Sequence, residues 1–245
     1  MKRPGLIRGI LVIGIMYMFG GVIHRLNMHS CARTHVRVAI NTDSLVADEL
    51  CAVATLLTTL HEQDGYTLAE CIAQAQAQFP YLYDGSAVFE PGALVMYSFA
   101  CSKPLCVVND SYLLLDSGVI VGMNIFNAHA FSPLTAISID QSLMQDEHQM
   151  RSVADAMARI DPAIAAVNAI HWHSIHTGFI GHPDQAAFKV MFDVMHIPTT
   201  YILAHCTTIH HELQDSNALS QGAWIADIRF NNQIIVYRGR GGGYG

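Results

Sequence analysis

Two histidine-rich segments hold the residues whose types and spacing come closest to a metal-binding or catalytic site. Their candidate metal ligands are, in chain order, His171, His173, His176, His205, Cys206, His210 and His211. On a β-strand His171 and His173 would share a face, and two such strands could assemble a zinc site. However, the chain contains neither a CxxC pair nor an HExxH motif, so the spacing fits no recognised zinc pattern. We therefore predict no metal site, and a metal-binding or metalloenzyme domain that uses these histidines is the alternative.

No other motif indicates catalysis. The chain has no GxSxG nucleophile turn, no GxxxxGK[ST] phosphate loop and no GxGxxG segment that opens a helix. The Gly-rich segment at residues 239–245 is interpreted as a flexible tail, because no strand or helix frames it as a phosphate loop. The acidic residues show no acid/base pairing either. The sequence thus predicts a protein without catalytic residues, cofactors or a small-molecule substrate.

The composition restricts the kind of partner. Of the 245 residues, 51% are hydrophobic and 13% are charged, the formal net charge is −7, and no basic stripe is present. A nucleic-acid-binding surface needs clustered Lys and Arg, so nucleic acid is excluded as the main partner. The six cysteines could form disulfides, with Cys101 near Cys106 and Cys51 near Cys71, or could be buried free thiols. Both interpretations stay open.

The first 27 residues have the pattern of a cytoplasmic stub followed by a membrane span. Residues 1–8 are basic, and residues 9–23 carry no charge. A helix over residues 6–23 would be roughly 27 Å long, close to the thickness of a bilayer core. No small-x-small cleavage site follows, so we predict an uncleaved anchor with the rest of the chain exported. A cleaved signal peptide is the alternative.

The next part of the chain reads as strand, helix, helix and then several short strands. Residues 36–40 alternate as in a strand, and a helix follows that ends near Leu60. Thr67 and Glu70 form a capping-box pattern before a second helix at residues 68–78. Residues 79–122 then hold apolar runs separated by Gly, Pro, Asn and Asp, which is typical of strands joined by tight turns. We interpret this stretch as scaffold.

This order of elements resembles the POTRA domain of the FtsQ/DivIB family of bacterial cell division proteins. The matching segments are Phe79-Pro80, the strand at 86–89, Pro91, the strand at 94–100, Pro104-Leu105, and a Leu-Leu-x-x-Gly-x-Val-like hairpin at 114–120. The resemblance implies a POTRA domain of order β-α-α-β-β over residues 34–122.

The second part of the chain, residues 123–238, is predicted to be a mixed, β-rich domain. Its apolar spacing predicts helices at residues 145–159 and 183–196 and a strand at residues 201–206. Residues 224–237 are predicted to form a hairpin around Asn231-Asn232, a pair suited to a type I′ turn. With that turn, one face of the hairpin carries Trp224, Ala226, Ile228, Phe230, Ile235 and Tyr237, whereas Asp227 and Arg229 point the other way.

The hairpin is the second place where the family resemblance appears. The family's terminal domain ends in an Asp-Leu-Arg-Tyr-x-Asn-x-x-x-Val pattern, and residues 227–236 read DIRFNNQIIV. The resemblance implies that residues 123–238 form the family's β domain, ahead of the tail at 239–245. It also implies that the terminal hairpin binds a downstream division partner. The expected partner-binding residues are Trp224, Asp227, Arg229, Phe230, Ile234, Val236 and Tyr237.

Together these patterns predict an α+β protein with one N-terminal transmembrane helix, a POTRA domain and a β-rich C-terminal domain. The resemblance implies a non-enzymatic scaffold in the bacterial inner membrane that recruits FtsB/FtsL-type partners to the division septum. A membrane-anchored secretion or sensor component is an alternative, because a fold does not fix a function. We expect replacement of Tyr237 or Arg229 to weaken partner capture with little change in melting temperature.

Overall fold

The structure, a computed structural model, describes residues 29–33, 36–42, 44–63, 65–90, 94–182, 187–231 and 233–239. The chain divides into two compact units. The N-terminal unit comprises the described residues up to Ser102 together with Ile125–Asn127. The C-terminal unit comprises Lys103–Asn124 and the described residues from Ala128 onward.

The N-terminal unit is a four-stranded mixed sheet with two helices. Its elements are β1 (His29–Arg33), β2 (Val36–Asn41), α1 (Ala47–Glu62), α2 (Leu68–Gln78), β3 (Leu82–Glu90) and β4 (Leu94–Cys101). The strand order is β1-β2-β4-β3, with β2 and β4 parallel and the other pairs antiparallel. Strand β4 buries every second residue, as expected for a sheet that is covered on one face.

The second helix of this unit begins where the sequence places it. The Thr67 side chain accepts a hydrogen bond from the Glu70 N–H, and the Glu70 carboxylate accepts one from the Thr67 N–H. These reciprocal bonds satisfy two amides that would otherwise lack partners in the first turn. They lower the pKa of Glu70, chiefly through the backbone hydrogen bond with Thr67.

The C-terminal unit is built on one long mixed sheet. Its strands are β5 (Pro104–Val108), β6 (Tyr112–Leu115), β7 (Ile120–Gly122), β8 (Ala136–Ile139), β9 (Ala169–Ser174), β10 (Thr177–Gly181), β11 (Phe188–Phe192), β12 (Trp224–Phe230) and β13 (Gln233–Arg238). The order of the nine described strands is β13-β12-β11-β10-β9-β8-β5-β6-β7. The described helices are α3 (Ala128–Phe131), α4 (Gln141–Met144), α5 (Glu147–Met157), α6 (Pro162–Val167) and α7 (Thr200–Asp215), with 3₁₀ turns at Met123–Ile125 and Ala218–Gln221.

The core of the C-terminal unit lies between one face of this sheet and helices α5, α6 and α7. Trp172 on β9 is fully buried there and meets the Phe192 ring edge to face, at a centroid distance of 4.8 Å. Its indole N–H points at the Met157 sulfur, 3.4 Å away. Both tryptophans of the chain, Trp172 and Trp224, belong to this unit. Tryptophan fluorescence therefore reports on its unfolding.

One element of the predicted fold class is corrected by the structure. Within the described ranges no helix is both long and apolar enough to cross a membrane. The longest described helices, α1 and α7, have 16 residues each. Each is therefore roughly 24 Å long, whereas a bilayer core is about 30 Å thick. The span predicted at residues 6–23 lies outside the described residues. What the structure describes is α+β with mixed sheets.

The strands at residues 104–122 belong to the C-terminal unit, whereas the sequence assigned them to the first domain. The cause is strand pairing. Strand β5 pairs in parallel with β8, with Val107 opposite Ala136, which places β5, β6 and β7 in the nine-stranded sheet. The order strand-helix-helix-strand-strand occurs within residues 36–101, with β1 as an additional strand ahead of it.

Gly118, in the turn between β6 and β7, provides a test of the packing in the C-terminal unit. Its φ is +86°, and an added Cβ would lie 2.5 Å from the Arg151 Cα, which is backbone and cannot move aside easily. We expect Gly118→Ala to lower the free energy of unfolding by about 1–3 kcal/mol, the usual cost of overpacking. Urea unfolding followed by tryptophan fluorescence measures the change.

The neighbouring Ser117 supplies the control for this test. Its hydroxyl oxygen is buried and has no hydrogen-bond partner among the described residues. Ser117→Ala removes that unsatisfied group, so the variant should be as stable as the parent or slightly more stable. Equal urea midpoints of unfolding for Gly118→Ala and Ser117→Ala would show that the close approach to Arg151 does not affect the free energy of unfolding.

Candidate functional site

The terminal hairpin, formed by β12 and β13, lies at one end of the nine-stranded sheet. Strand β12 pairs in parallel with β11, with Val190 opposite Ala226, and antiparallel with β13. Within the part of the chain that is described, no strand pairs with the outer side of β13. We call this outer side the docking edge, because a free strand edge is a template for pairing with another chain.

The register of the hairpin corrects the predicted arrangement of its faces. Phe230 is opposite Gln233, but Asp227 is opposite Ile235, so β12 contains one extra residue between these two pairs. Such a bulge shifts the pairing of the two strands by one residue. Beyond it, each side chain lies on the other face relative to the side chains of the partner strand. Ile235 and Tyr237 therefore share a face with Asp227 rather than with Trp224 and Ile228.

The direction of the outer amides follows from the hydrogen bonds of the inner side. The Trp224 N–H donates to the Ala187 carbonyl on the β11 side, and the Gly239 N–H donates to the Ala223 carbonyl across the hairpin. Backbone groups alternate in direction along a strand. Ile235, Tyr237 and Gly239 hence turn their N–H groups toward β12. The remaining outward-pointing amides of the docking edge are those of Ile234, Val236 and Arg238.

An ion pair between a buried carboxylate and a partly buried arginine fixes the middle of the hairpin. The Arg229 guanidinium donates from Nε to Asp227 Oδ1 at 2.9 Å and from Nη2 to Asp227 Oδ2 at 2.7 Å. Its Nη1 also donates to the His176 carbonyl at 2.9 Å, which links β12 to the turn between β9 and β10. The hydrogen bond with Asp227 is the largest influence on Arg229 and raises its pKa, although burial opposes this.

The predicted partner-binding residues fall into three groups by burial. Phe230 and Tyr237 are exposed, with 47% and 38% of their surfaces accessible, whereas Asp227 is 3% exposed. The partly buried members are Trp224, Arg229, Ile234 and Val236. Of these, Trp224, Ile234 and Val236 pack against the core. The exposed large hydrophobic side chains beside the docking edge are thus Phe230, Tyr237 and Ile235, and Ile235 is not among the predicted partner-binding residues.

A histidine outside the two histidine-rich segments supports the hairpin turn. His196 Nδ1 lies 3.0 Å from Asp193 Oδ1, and its Nε2 lies 3.2 Å from Asn231 Oδ1. Burial tends to raise the pKa of Asp193, but hydrogen bonds from the His196 and Met195 amides outweigh it and lower this pKa. The sequence does not reveal this support, because Asp193 and His196 are far from Asn231 in the chain.

The first histidine-rich segment contains a carboxylate-bridged pair. His171 and His173 share a face of β9, as predicted, and Asp140 at the end of β8 reaches both of them. His171 Nε2 lies 3.1 Å from Asp140 Oδ1, and His173 Nδ1 contacts Asp140 Oδ2. Parallel pairing of β8 with β9, with Ser138 opposite His171, brings these distant residues together.

The second histidine-rich segment lies on helix α7, not on a strand. Cys206 and His210 are one turn apart on the buried side of the helix, and the His205 ring meets the Tyr201 ring edge to face. Burial raises the pKa of the Cys206 thiol to about 11. Among the described residues, no group of three or more His, Cys, Asp or Glu side chains is arranged to hold a metal ion.

No protein-family model matches the chain, and no curated protein sequence matches it either.

Proposed function

We propose that this chain is a non-enzymatic scaffold of the bacterial division septum that captures FtsB/FtsL-type partners at the docking edge of its C-terminal unit. The observation that carries the proposal is the position of β13. It is the edge strand of the sheet that the structure describes, its Ile234, Val236 and Arg238 amides point outward, and exposed apolar side chains flank it. The family resemblance of residues 79–122 and 227–236 supports the same partner class.

The mode of capture is addition of a partner strand to β13. Main-chain hydrogen bonds to the outward amides supply affinity, and side chains on alternate positions supply specificity. Phe230, Ile235 and Tyr237 are the apolar groups available to the partner. Aromatic residues are common hot spots in interfaces because they desolvate a large area at low entropic cost. The complex forms at the division site, outside the cytoplasm.

The alternative functions lead to different observations. A metal-binding role for the histidine segments would require bound metal that survives dialysis of the purified chain. A secretion or sensor component would not concentrate at midcell, so the position of a fluorescent fusion in dividing cells separates it from a division scaffold.

Tyr237 tests the proposed interface. Truncation of an interfacial hot spot costs about 2 kcal/mol or more, which is roughly thirtyfold in affinity. We expect Tyr237→Ala to weaken binding to the exported segment of the FtsB-type partner by at least that factor. Because Tyr237 is partly exposed, the melting temperature should change little. Binding is measured by titration calorimetry and unfolding by tryptophan fluorescence.

Tyr112 on β6 is the matched control. It is 43% exposed, in the same unit, but it lies beside β7 at the opposite end of the sheet. Tyr112→Ala and deletion of residues 240–245 should both leave partner binding intact. If Tyr237→Ala binds as tightly as Tyr112→Ala, the partner uses another surface.

A further inference from the structure

A cavity of about 450 Å³ lies between helices α6 and α7, with strands β10 and β11 beneath it. The apolar side chains that line it are Ile180, Phe188 and Val190 on the strands and Ile164 and Leu203 on the helices. A volume of this size holds roughly 15 water-sized groups, since one water takes about 30 Å³ of the liquid. It is also within the usual range for sites that bind small molecules.

The composition of the cavity wall restricts the class of ligand. None of the described residues that line it is Asp, Glu, Lys or Arg. Its polar side chains are Asn168, His182, Thr200, Thr207 and His210, and Cys206 also lines it. An ion in such a site would lose its hydration without gaining a counter-charge. The lining therefore selects for uncharged molecules.

His210 is the polar group that points to a ligand. It is 7% exposed, and its Nδ1 is buried with no hydrogen-bond partner among the described residues. Its ring lies 5.3 Å from that of Phe188 and 5.8 Å from that of His211. Burial, followed by the influence of His211, lowers the pKa of His210, which favours the neutral imidazole.

A buried nitrogen without a hydrogen-bond partner lowers the stability of the folded protein. Rotation of the His210 ring about its Cβ–Cγ bond exchanges the positions of Nδ1 and Cδ2. A molecule in the cavity can then supply the missing hydrogen-bond partner. The same neutral imidazole gives no attraction to an anion. Size, lining and the unsatisfied nitrogen thus all favour one class of ligand.

We propose that this cavity binds a small uncharged amphiphile, with its apolar body on the β10–β11 floor and a single hydroxyl or amide group hydrogen-bonded to His210. The docking edge is not involved, so this binding is independent of partner capture. Molecules with up to roughly 15 non-hydrogen atoms fit the volume. The ligand is held without covalent chemistry.

Titration of the full chain with 1-octanol tests this site, with octanoate at pH 7.5 as the charged probe of the same length. We expect saturable binding of 1-octanol and at least tenfold weaker binding of octanoate. His210→Phe keeps a ring of similar size but removes both nitrogens. It should weaken 1-octanol binding about two- to tenfold, the range for loss of one hydrogen bond.

Ala204→Phe is the second variant, because Ala204 lies on an exposed position of α7 at the cavity wall. A large ring there should abolish 1-octanol binding without disturbing the core. Both variants should capture the FtsB-type partner as the parent does. Octanoate binding as tight as that of 1-octanol, or 1-octanol binding that survives Ala204→Phe, would overturn the proposal.

Discussion

Replacement of Val236 by proline is expected to abolish capture of the FtsB-type partner while the terminal hairpin stays folded. The Val236 N–H points away from β12, so its loss removes no hydrogen bond of the hairpin. Proline lacks an N–H, and its ring occupies the space where a partner strand would pair. The loss of one interstrand hydrogen bond alone weakens binding about two- to tenfold, and the steric block to pairing adds to that loss.

Val236→Ala separates this backbone effect from the loss of the side chain. Both variants remove the valine side chain, which packs against the core from one side, but only alanine keeps the outward N–H. Val236→Ala should bind the partner within a few-fold of the parent. Similar affinities for the two variants would mean that the partner does not pair with β13. Tryptophan fluorescence checks that both remain folded.

The sequence alone predicts an element correctly where the interactions that determine it are local. The Thr67–Glu70 capping box forms as its spacing predicts, because both of its hydrogen bonds are made within one helical turn. The terminal hairpin also forms around Asn231, with strands over most of the predicted range. Its register could not be predicted, since a bulge of one residue in β12 depends on packing rather than on the turn pair.

Two elements of the C-terminal unit have the opposite type from the one predicted. The predicted helix at residues 183–196 contains strand β11, and the predicted strand at residues 201–206 is the first half of helix α7. Short apolar runs fit a buried strand or a helix face equally well. The missed signal for α7 was Thr199, whose side chain accepts a hydrogen bond from the Ile202 N–H as an N-cap.

The sequence alone does not predict which residues from distant parts of the chain come into contact. Asp140 reaches His171 and His173 only because β8 and β9 pair in parallel. In the same way, the Arg229 contact with the His176 carbonyl depends on how β9, β10, β11 and β12 are ordered in the sheet. A sequence pattern names the residue types, but the sheet topology decides which of them meet.

The contacts of Arg229 change the loss of stability that we expect when this residue is replaced. The sequence suggested that an exposed arginine could be removed with little effect on the melting temperature. Instead, Arg229 is the partner that the structure gives to both carboxylate oxygens of Asp227, which is 3% exposed. Removal of Arg229 leaves the buried charge of Asp227 uncompensated. We expect Arg229→Ala to lower the free energy of unfolding by about 3–5 kcal/mol.

Arg238→Ala is the matched control for this prediction, because Arg238 is an exposed arginine on β13. An exposed substitution of this kind should change the free energy of unfolding by no more than about 0.5 kcal/mol. The double variant Asp227→Leu/Arg229→Ala removes both charges and should recover most of the loss, since the cost comes from an orphaned carboxylate. Urea unfolding followed by tryptophan fluorescence compares all three. If Arg229→Ala unfolds at the same urea concentration as Arg238→Ala, the ion pair does not hold the hairpin, and Arg229 is available to the partner instead.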